Sequence, residues 1–368
     1  MLRDITLGQY YPGNSWVHSL DARIKIIATI VYIVALFIVD NFYGFIISAA
    51  ALGAVIAVSK VPLRFILRGL KPVFIIIIFT FVLNLFISGI SAGSGIMAAQ
   101  YWGKKDAASI EEVMPIALRT NLIFSGVFTV FAAVAPEVLM RIFTSDPALI
   151  ESGAVYLRAV SLSYLLCGIS QIYLILLKNT GYATVSSRIS CTAVVVNIIC
   201  NAILIYGLLG LPALGIQGAA YATVIARLVE LVWSYLETKQ SGRVQIIWKK
   251  MFHAADAVLT KDFWRYTMPV LGAALVWGIA YVSYSVIMGH MGSDAVAANS
   301  ITTIAKNMLS CLIRGVSGGA GVLIGNLLGA GELDKAKVYG GRLTRMAIVV
   351  GMTTGGLLML ISPLIVRF

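Results

Sequence analysis

Charge is what this chain lacks most. Only 12% of its 368 residues are charged and 59% are hydrophobic, against about 25% and 45–50% in soluble globular domains. Mean hydropathy is +0.91. One hydrophobic core cannot absorb that much apolar surface, so the excess faces lipid and soluble enzymes are excluded. Acids are scarcer than bases, 16 against 28, for a net charge of +12. In a soluble protein that balance would suggest nucleic acid. Here the bases cluster between apolar runs and act as topology signals, so no nucleic-acid partner is expected. Cysteine is rare too: Cys167, Cys191, Cys200 and Cys311 all lie in apolar runs, without CxxC or zinc spacing. His18, His253 and His290 are far apart, so no metal site is expected. No secretory signal precedes the first apolar run, which starts near Ile24 after a polar stretch.

What is present is a series of membrane-length runs. A helix needs about 20 apolar residues to cross the hydrocarbon core. Runs of that kind cover Ile24–Val39, Phe42–Val58, Pro72–Ala99, Ile116–Ala135, Ala154–Leu177, Ile189–Leu209, Gly215–Leu236, Tyr266–Gly289, Ala295–Leu328 and Leu343–Val366. The expected fold is therefore an all-α polytopic membrane protein with about ten transmembrane helices, because open sheet edges cannot sit in lipid. From residue 100 onward basic residues mark alternate loops: Lys104, Lys105 and Arg119, then Lys178 and Arg188, then Lys239 to Arg265, then Lys335 to Arg345. These loops are assigned to the cytoplasm of a prokaryotic cell membrane. The longest, 238–265, reads as a polar, amphipathic hinge between two bundles.

An internal repeat supports the two-bundle division. Ile87-Ser-Gly-Ile-Ser-Ala-Gly-Ser-Gly-Ile96 matches Ile313-Arg-Gly-Val-Ser-Gly-Gly-Ala-Gly-Val322 at a constant offset of 226 residues. Gly89, Gly93 and Gly95 fall on Gly315, Gly319 and Gly321, Gln100 on Asn326, Gly103 on Gly329 and Arg119 on Arg345. Glycines at this spacing let helix backbones approach closely. A parallel repeat of several spans is a transporter architecture, with the site between the halves.

From about Leu85 onward the sequence resembles the multidrug and toxic compound extrusion (MATE) family. The residues that carry this are Gly89–Asp106 (GISAGSGIMAAQYWGKKD), Val196–Asn201 (VNIICN), Gly210–Glu230 (GLPALGIQGAAYATVIARLVE), Met291–Asn299 (MGSDAVAAN) and Ile324–Lys335 (IGNLLGAGELDK). The resemblance implies a two-lobed, twelve-helix fold, of which this chain would hold helices two to nine. The N-terminal part is similar to a different family. Leu7–Ser15 (LGQYYPGNS), with His18, Leu20, Asp21, Arg23 and Lys25, and Pro62–Pro72 (PLRFILRGLKP) resemble the transmembrane T component of energy-coupling-factor (ECF) vitamin transporters. The chain thus reads as a fusion: an ECF T-like segment over 1–87, a first MATE-like lobe without its first helix over 88–237, the loop 238–265, and an incomplete second lobe over 266–368.

The join creates a conflict. Lys60, Arg64, Arg68 and Lys71 place the loop before Pro72–Ala99 in the cytoplasm, while Lys104 and Lys105 place the loop after it there too. The 28 residues of that run are too few for two crossings, which need about 40. Fifteen basic residues in the later loops outnumber seven in the first 71 positions. The expectation is one long tilted helix with the N-terminus outside, the alternative being a re-entrant kink at Gly89–Gly95.

Polar residues inside the runs are the candidates for chemistry. Asn197 and Asn201, four apart, share a helix face as a neutral ion- or substrate-binding pair, or as interhelical glue. In the MATE resemblance this asparagine binds the coupling cation beside carboxylates; here Asn201 stands where an acid is found, and cannot release a proton. Arg227 and Glu230, three apart, form either a packing pair or a gate. Lys306 and Arg314, two turns apart inside Ala295–Leu328, either snorkel or pair with helix-end carbonyls, or Lys306, with Asn307 beside it, faces the central cavity. Tyr281 and Tyr284, with Trp277, offer aromatic surface for flat lipophilic cations, or interfacial anchors. Gly89–Gly95 lacks the GxxxxGK[ST] pattern, so no ATP site and no cofactor is expected, only H+ or Na+ as coupling ion. The resemblance implies a non-enzymatic, cation-coupled antiporter that exports lipophilic, often cationic drugs, impaired by the incomplete second lobe. Two alternatives stand: a transmembrane scaffold of an ECF-type vitamin importer, and a non-functional fusion product. ATPase subunits are not expected, since no ECF coupling helices are recognisable.

Overall fold

The computed structural model describes residues 15–21, 63–141, 147–207, 212–251, 256–290 and 293–366, with isolated positions between 24 and 59. The expected runs Ile24–Val39 and Phe42–Val58, and the ECF-like motif Leu7–Ser15, lie almost wholly outside the described residues. Among the described residues every element is helical: α1 (Trp16–Ser19), α2 (Leu63–Gly103), α3 (Ala107–Val134), α4 (Pro136–Arg141), α5 (Pro147–Asn179), α6 (Ala183–Tyr206), α7 (Gly215–Thr238), α8 (Trp248–Met251), α9 (Ala257–His290), α10 (Ser293–Gly329) and α11 (Leu333–Val366). Six of them contain stretches long and apolar enough to cross a membrane: α2 from Ile78, α3, α5 from Ile150, α6, α7, and α9 as far as Tyr284. The runs expected near the C-terminus form as the single helices α10 and α11, of 37 and 34 residues.

The contested run Pro72–Ala99 lies in one continuous helix of 41 residues, without a re-entrant kink at Gly89–Gly95. At 1.5 Å per residue α2 is about 61 Å long, twice the roughly 30 Å hydrocarbon core. Lys71 and Lys104 are separated by about 50 Å of helix, enough to span a hydrocarbon core once.

Helices α2, α3, α5, α6 and α7 form one bundle; α9 and α10 join it through α2, and α11 packs on α10. The main core gathers Ile90 and Met97 of α2, Met114 and Leu118 of α3, Ile172 and Tyr173 of α5, and Phe263 of α9. Asn121, fully buried, donates from Nδ2 to Ser91 Oγ at 3.3 Å and to the Gly168 carbonyl at 3.2 Å, tying α2, α3 and α5 together. Such bonds replace the hydrophobic drive that lipid does not supply. Asp106 caps α3 by accepting from the Ser109 amide and hydroxyl, and those bonds hold its carboxyl below the usual range. The outer face of α6 presents Val194, Val195, Ile198 and Ile199, all more than half exposed, to lipid.

The loop expected as a hinge is fastened to the first bundle. Val244 and Ile246 are buried in the main core, Trp248 Nε1 donates to Tyr173 Oη at 2.7 Å, and Lys250 pairs with Glu112 at 2.6 Å. Arg243 pairs with Glu237 and lies over the Tyr182 ring. Its C-terminal part, Ala257–Arg265, belongs to α9 because Phe263 buries itself completely.

The repeat meets itself where α2 crosses α10. A Cβ on Gly103 would overlap the Asn326 carbonyl, and one on Gly329 would overlap the Gln100 carbonyl. Gln100 and Asn326 are repeat equivalents, as are Gly103 and Gly329, so the contact is reciprocal, like that across a two-fold axis. Ala99 and Gly325, also equivalent, touch at the centre: a Cβ on Gly325 would stand 2.8 Å from that of Ala99. The other repeat glycines behave unequally. Gly89 and Gly93 press against Leu271 and Thr267 of α9, and Gly95 against Ile175 of α5. Gly315, Gly319 and Gly321 meet nothing within 4 Å. The close approach expected at these three is therefore not made, because no described helix covers α10 as α9 and α5 cover α2.

Two outcomes follow for a chain whose four cysteines are replaced. Lys71→Cys should react with an impermeant maleimide from outside intact cells and Lys104→Cys only after permeabilisation; labelling of both from one side would refute the single crossing. Ala99→Cys with Gly325→Cys should cross-link under mild oxidation, since parting the two Cβ positions from 2.8 Å to the about 3.8 Å of a disulfide needs only a small shift. Absence of the cross-link would mean the seam does not form.

Candidate functional site

A cavity of about 360 Å³ opens between α5, α6 and α7, lined by Gln171, Ser190, Asn197, Thr223, Arg227 and Glu230 with smaller apolar residues. Helical spacing assembles it. Ser190 and Asn197, seven apart on α6, and Thr223, Arg227 and Glu230, spaced four and three on α7, each lie on one face.

Glu230 is the one buried carboxylate among the described residues, 2% exposed. Its Oε2 accepts from Arg227 Nη1 at 2.7 Å and from Ser170 Oγ at 2.9 Å. Burying a carboxylate in a bundle costs several kcal/mol unless a counter-ion and hydrogen bonds compensate, and both are supplied here. The Arg227 side chain is 36% exposed, so the pair has one end in the core and the other at the cavity. Asn201 Nδ2 donates to Asn197 Oδ1 at 3.0 Å, and Asn201 Oδ1 is buried without a partner. Asn201 itself does not line the cavity, but its buried, unsatisfied carbonyl oxygen, one turn from Asn197, is an acceptor available to a cation or a donor group.

The other candidates are elsewhere. Lys306 and Asn307 are exposed on α10, and Tyr281 and Tyr284 are 41% and 48% exposed on α9. None of the four lines the α5–α7 cavity. Tyr281 belongs to an aromatic group that joins α2 to α9: its ring stacks on Trp277 at 5.6 Å and lies 5.9 Å from Phe81.

A family model described as MatE matches residues 70–203 and 269–368. The chain belongs to the MatE family. A solved structure described as the outward-facing conformation of a multidrug resistance MATE family transporter of the MOP superfamily shares the fold of this MatE chain. It superposes at a TM-score of 0.71 with 20% identity, covering 81% of this chain and 65% of that one. The probable multidrug resistance protein YoeA of Bacillus subtilis (strain 168) is 23% identical over 283 residues, 76% of this chain and 60% of its own. The energy-coupling factor transporter transmembrane protein EcfT of Clostridium kluyveri is 49% identical over 89 residues, 24% of this chain and 33% of its own. The MatE chain thus carries an ECF T-like part as well. It spans three fifths of the YoeA length and a third of the EcfT length. Both families are membrane transporters, and this is a multi-pass membrane protein.

Within the MatE chain the sequence left Ser170, Gln171, Ser190 and Thr223 unnoticed, although each is a polar residue in an apolar run. The signal was their phase: Ser190 shares a face with Asn197, and Thr223 with Arg227. Ser170 joins only through α5–α7 packing, which a single chain does not encode in its spacing.

Arg227→Met should leave Glu230 buried and unpaired. The expected cost is about 2–3 kcal/mol, below the roughly 3–5 of a fully buried pair because Arg227 is partly solvated. Its thermal unfolding midpoint in detergent should fall by several degrees, while Arg227→Met with Glu230→Met should recover most of the loss. Equal destabilisation by the single and double variants would mean that the two groups are not coupled.

Proposed function

We propose that this chain exports lipophilic small molecules across the cell membrane by alternating access between its two halves, in exchange for a cation, H+ or Na+. The observation that carries the reading is the Glu230 carboxylate, buried and held by Arg227 and Ser170 at the wall of a cavity. A buried acid with one mobile counter-ion is a two-state element. A proton on Glu230 removes its attraction for Arg227 and frees the guanidinium to move. A sodium ion would compete with Arg227 for the same oxygen, with the carboxamide oxygens of Asn197 and Asn201 as hard neutral donors. Either ion changes the charge and packing between α5, α6 and α7, which biases a bistable bundle. Lys306, Asn307, Tyr281 and Tyr284 would then act on substrate from the second half.

The likeness to a protein named for multidrug resistance supports the substrate class. The division of labour follows the repeat: an ECF T-like segment over 1–87, a first lobe over 88–237, a linking loop over 238–265 and a second lobe over 266–368. One further observation, the 49% identity to an EcfT, favours a second reading in which the N-terminal part serves as a membrane scaffold for other subunits. Co-purification of an ATPase with the full chain would support that role.

The test uses inside-out vesicles from cells expressing the chain, with an imposed H+ or Na+ gradient. Ethidium or the anionic dye 8-anilinonaphthalene-1-sulfonate should accumulate against vesicles from empty-vector cells. Glu230→Gln should abolish the gradient dependence and lower uptake at least about tenfold, the usual scale for a lost charge partner. Uptake equal to empty vector for both dyes would sink the reading.

A further inference from the structure

The repeat shows where the second half departs from the common scaffold. Arg314 stands where the first copy has Ser88, and Lys306 where it has Thr80. A cation that the shared architecture does not need asks for another explanation. Arg314 is about 22 Å along α10 from the seam at Gly329, well inside a core roughly 30 Å thick. Lys306 is about 34 Å away, close enough to the opposite interface to snorkel. Among the described residues no carboxylate pairs with either cation.

A third cation reaches the same place from the other half. Lys178, in the last turn of α5, extends toward α10, and a Cβ on Gly318 would stand 3.0 Å from its Nζ. Glycine at 318 leaves room for that ammonium group. Gly318 is one helical turn from Arg314 and seven residues from Gly325 at the seam, so all three lie along one stripe of α10 facing the first half. Lys306 lies about a quarter turn off the same stripe. No carboxylate pairs with Lys178 among the described residues either. The one buried carboxylate, Glu230, is already bonded to Arg227.

We propose that Lys178 of the first half and Arg314 of the second form a two-sided cationic site beside the α2–α10 seam, and that it receives the acidic headgroup, carboxylate or phosphate, of an amphiphilic substrate. The inference rests on the transporter reading and reverses the substrate charge expected from the sequence. Two unpaired cations that approach one another repel, and desolvating them is costly. An anionic headgroup between them relieves both penalties and bridges the two halves at once. An ethidium-like cation would add to the repulsion. Arg314 offers a planar fork suited to a bidentate carboxylate or phosphate, while Lys178 contributes a point charge on a flexible stem.

The test is binding by the full chain in nanodiscs, read as fluorescence anisotropy of 11-(dansylamino)undecanoate after subtraction of empty discs. A lysophosphatidate should displace the probe, and dodecyltrimethylammonium and inorganic phosphate should not. Lys178→Gln and Arg314→Gln should each weaken binding at least about tenfold. Arg314→Lys should recover part of the loss. Arg314→Glu should favour the cationic competitor; it and the other variants count only where the Ala99–Gly325 cross-link still forms. Unchanged affinity in Lys178→Gln and Arg314→Gln, or displacement by the cation, overturns the proposal, and displacement by inorganic phosphate overturns its amphiphile part. Selective binding without gradient-driven uptake would defeat the transporter reading and leave this site standing. Gradient-driven ethidium uptake by a chain that does not bind the dansyl probe would do the opposite.

Discussion

The crossing of α2 and α10 is the contact on which the arrangement of the two halves depends. Gly103 and Gly329 each lie against a backbone carbonyl of the opposite helix, with Ala99 and Gly325 between them. Any larger side chain at either glycine would push the backbones apart, because the obstructing atoms belong to main chain and cannot rotate away. In lipid, where apolar side chains gain little by leaving one apolar medium for another, this backbone proximity and the dispersion contacts it allows are the main source of helix association. The reciprocity matters as much as the closeness. The same surface is used on both sides, so the two copies of the repeat meet by a self-complementary contact even though the rest of each half has diverged.

Around that seam the two halves are built to different standards of enclosure. The first half buries a large apolar core, laces α2, α3 and α5 with Asn121, and covers one end with residues 243–251. In the second half α10 packs on α2 and α11 on α10, and Gly315, Gly319 and Gly321 look onto open space. An unfilled glycine face on a helix is a surface shaped for a neighbour, and the repeat says what kind: in the first copy the corresponding glycines are met by Leu271, Thr267 and Ile175. The contrast also explains why polar chemistry concentrates in α5, α6 and α7, where enough surrounding structure exists to hold a buried ion pair.

Much of the fold was legible because lipid imposes simple rules. The apolar runs announced the helices, and the offset of 226 residues predicted that Gly103 and Gly329 are equivalent, though not that they touch each other's neighbouring carbonyls. The Arg227–Glu230 pair was readable from spacing alone, since residues three apart on a helix adjoin. Ser170 as its third partner was not, because it comes from another helix. Lys306 and Asn307 were placed in a central cavity by their polarity; the stripe running from Gly325 through Gly318 favours Arg314, and only the seam defines that stripe. The loop at 238–265 looked like a hinge because it is polar. Yet Val244, Ile246 and Trp248 were visible in it, an alternating apolar pattern that the structure uses to dock it.

The length of α2 has a mechanical consequence. A helix of 41 residues, about 61 Å along its axis, is a long lever gripped by α3, α5, α9 and α10. Tilting it by about 10° around the seam would carry its far end roughly 10 Å sideways, while its near end would barely move. A displacement that small side-chain changes could start near Gly103 would therefore be magnified at the opposite surface of the membrane, with the gain set by helix length alone.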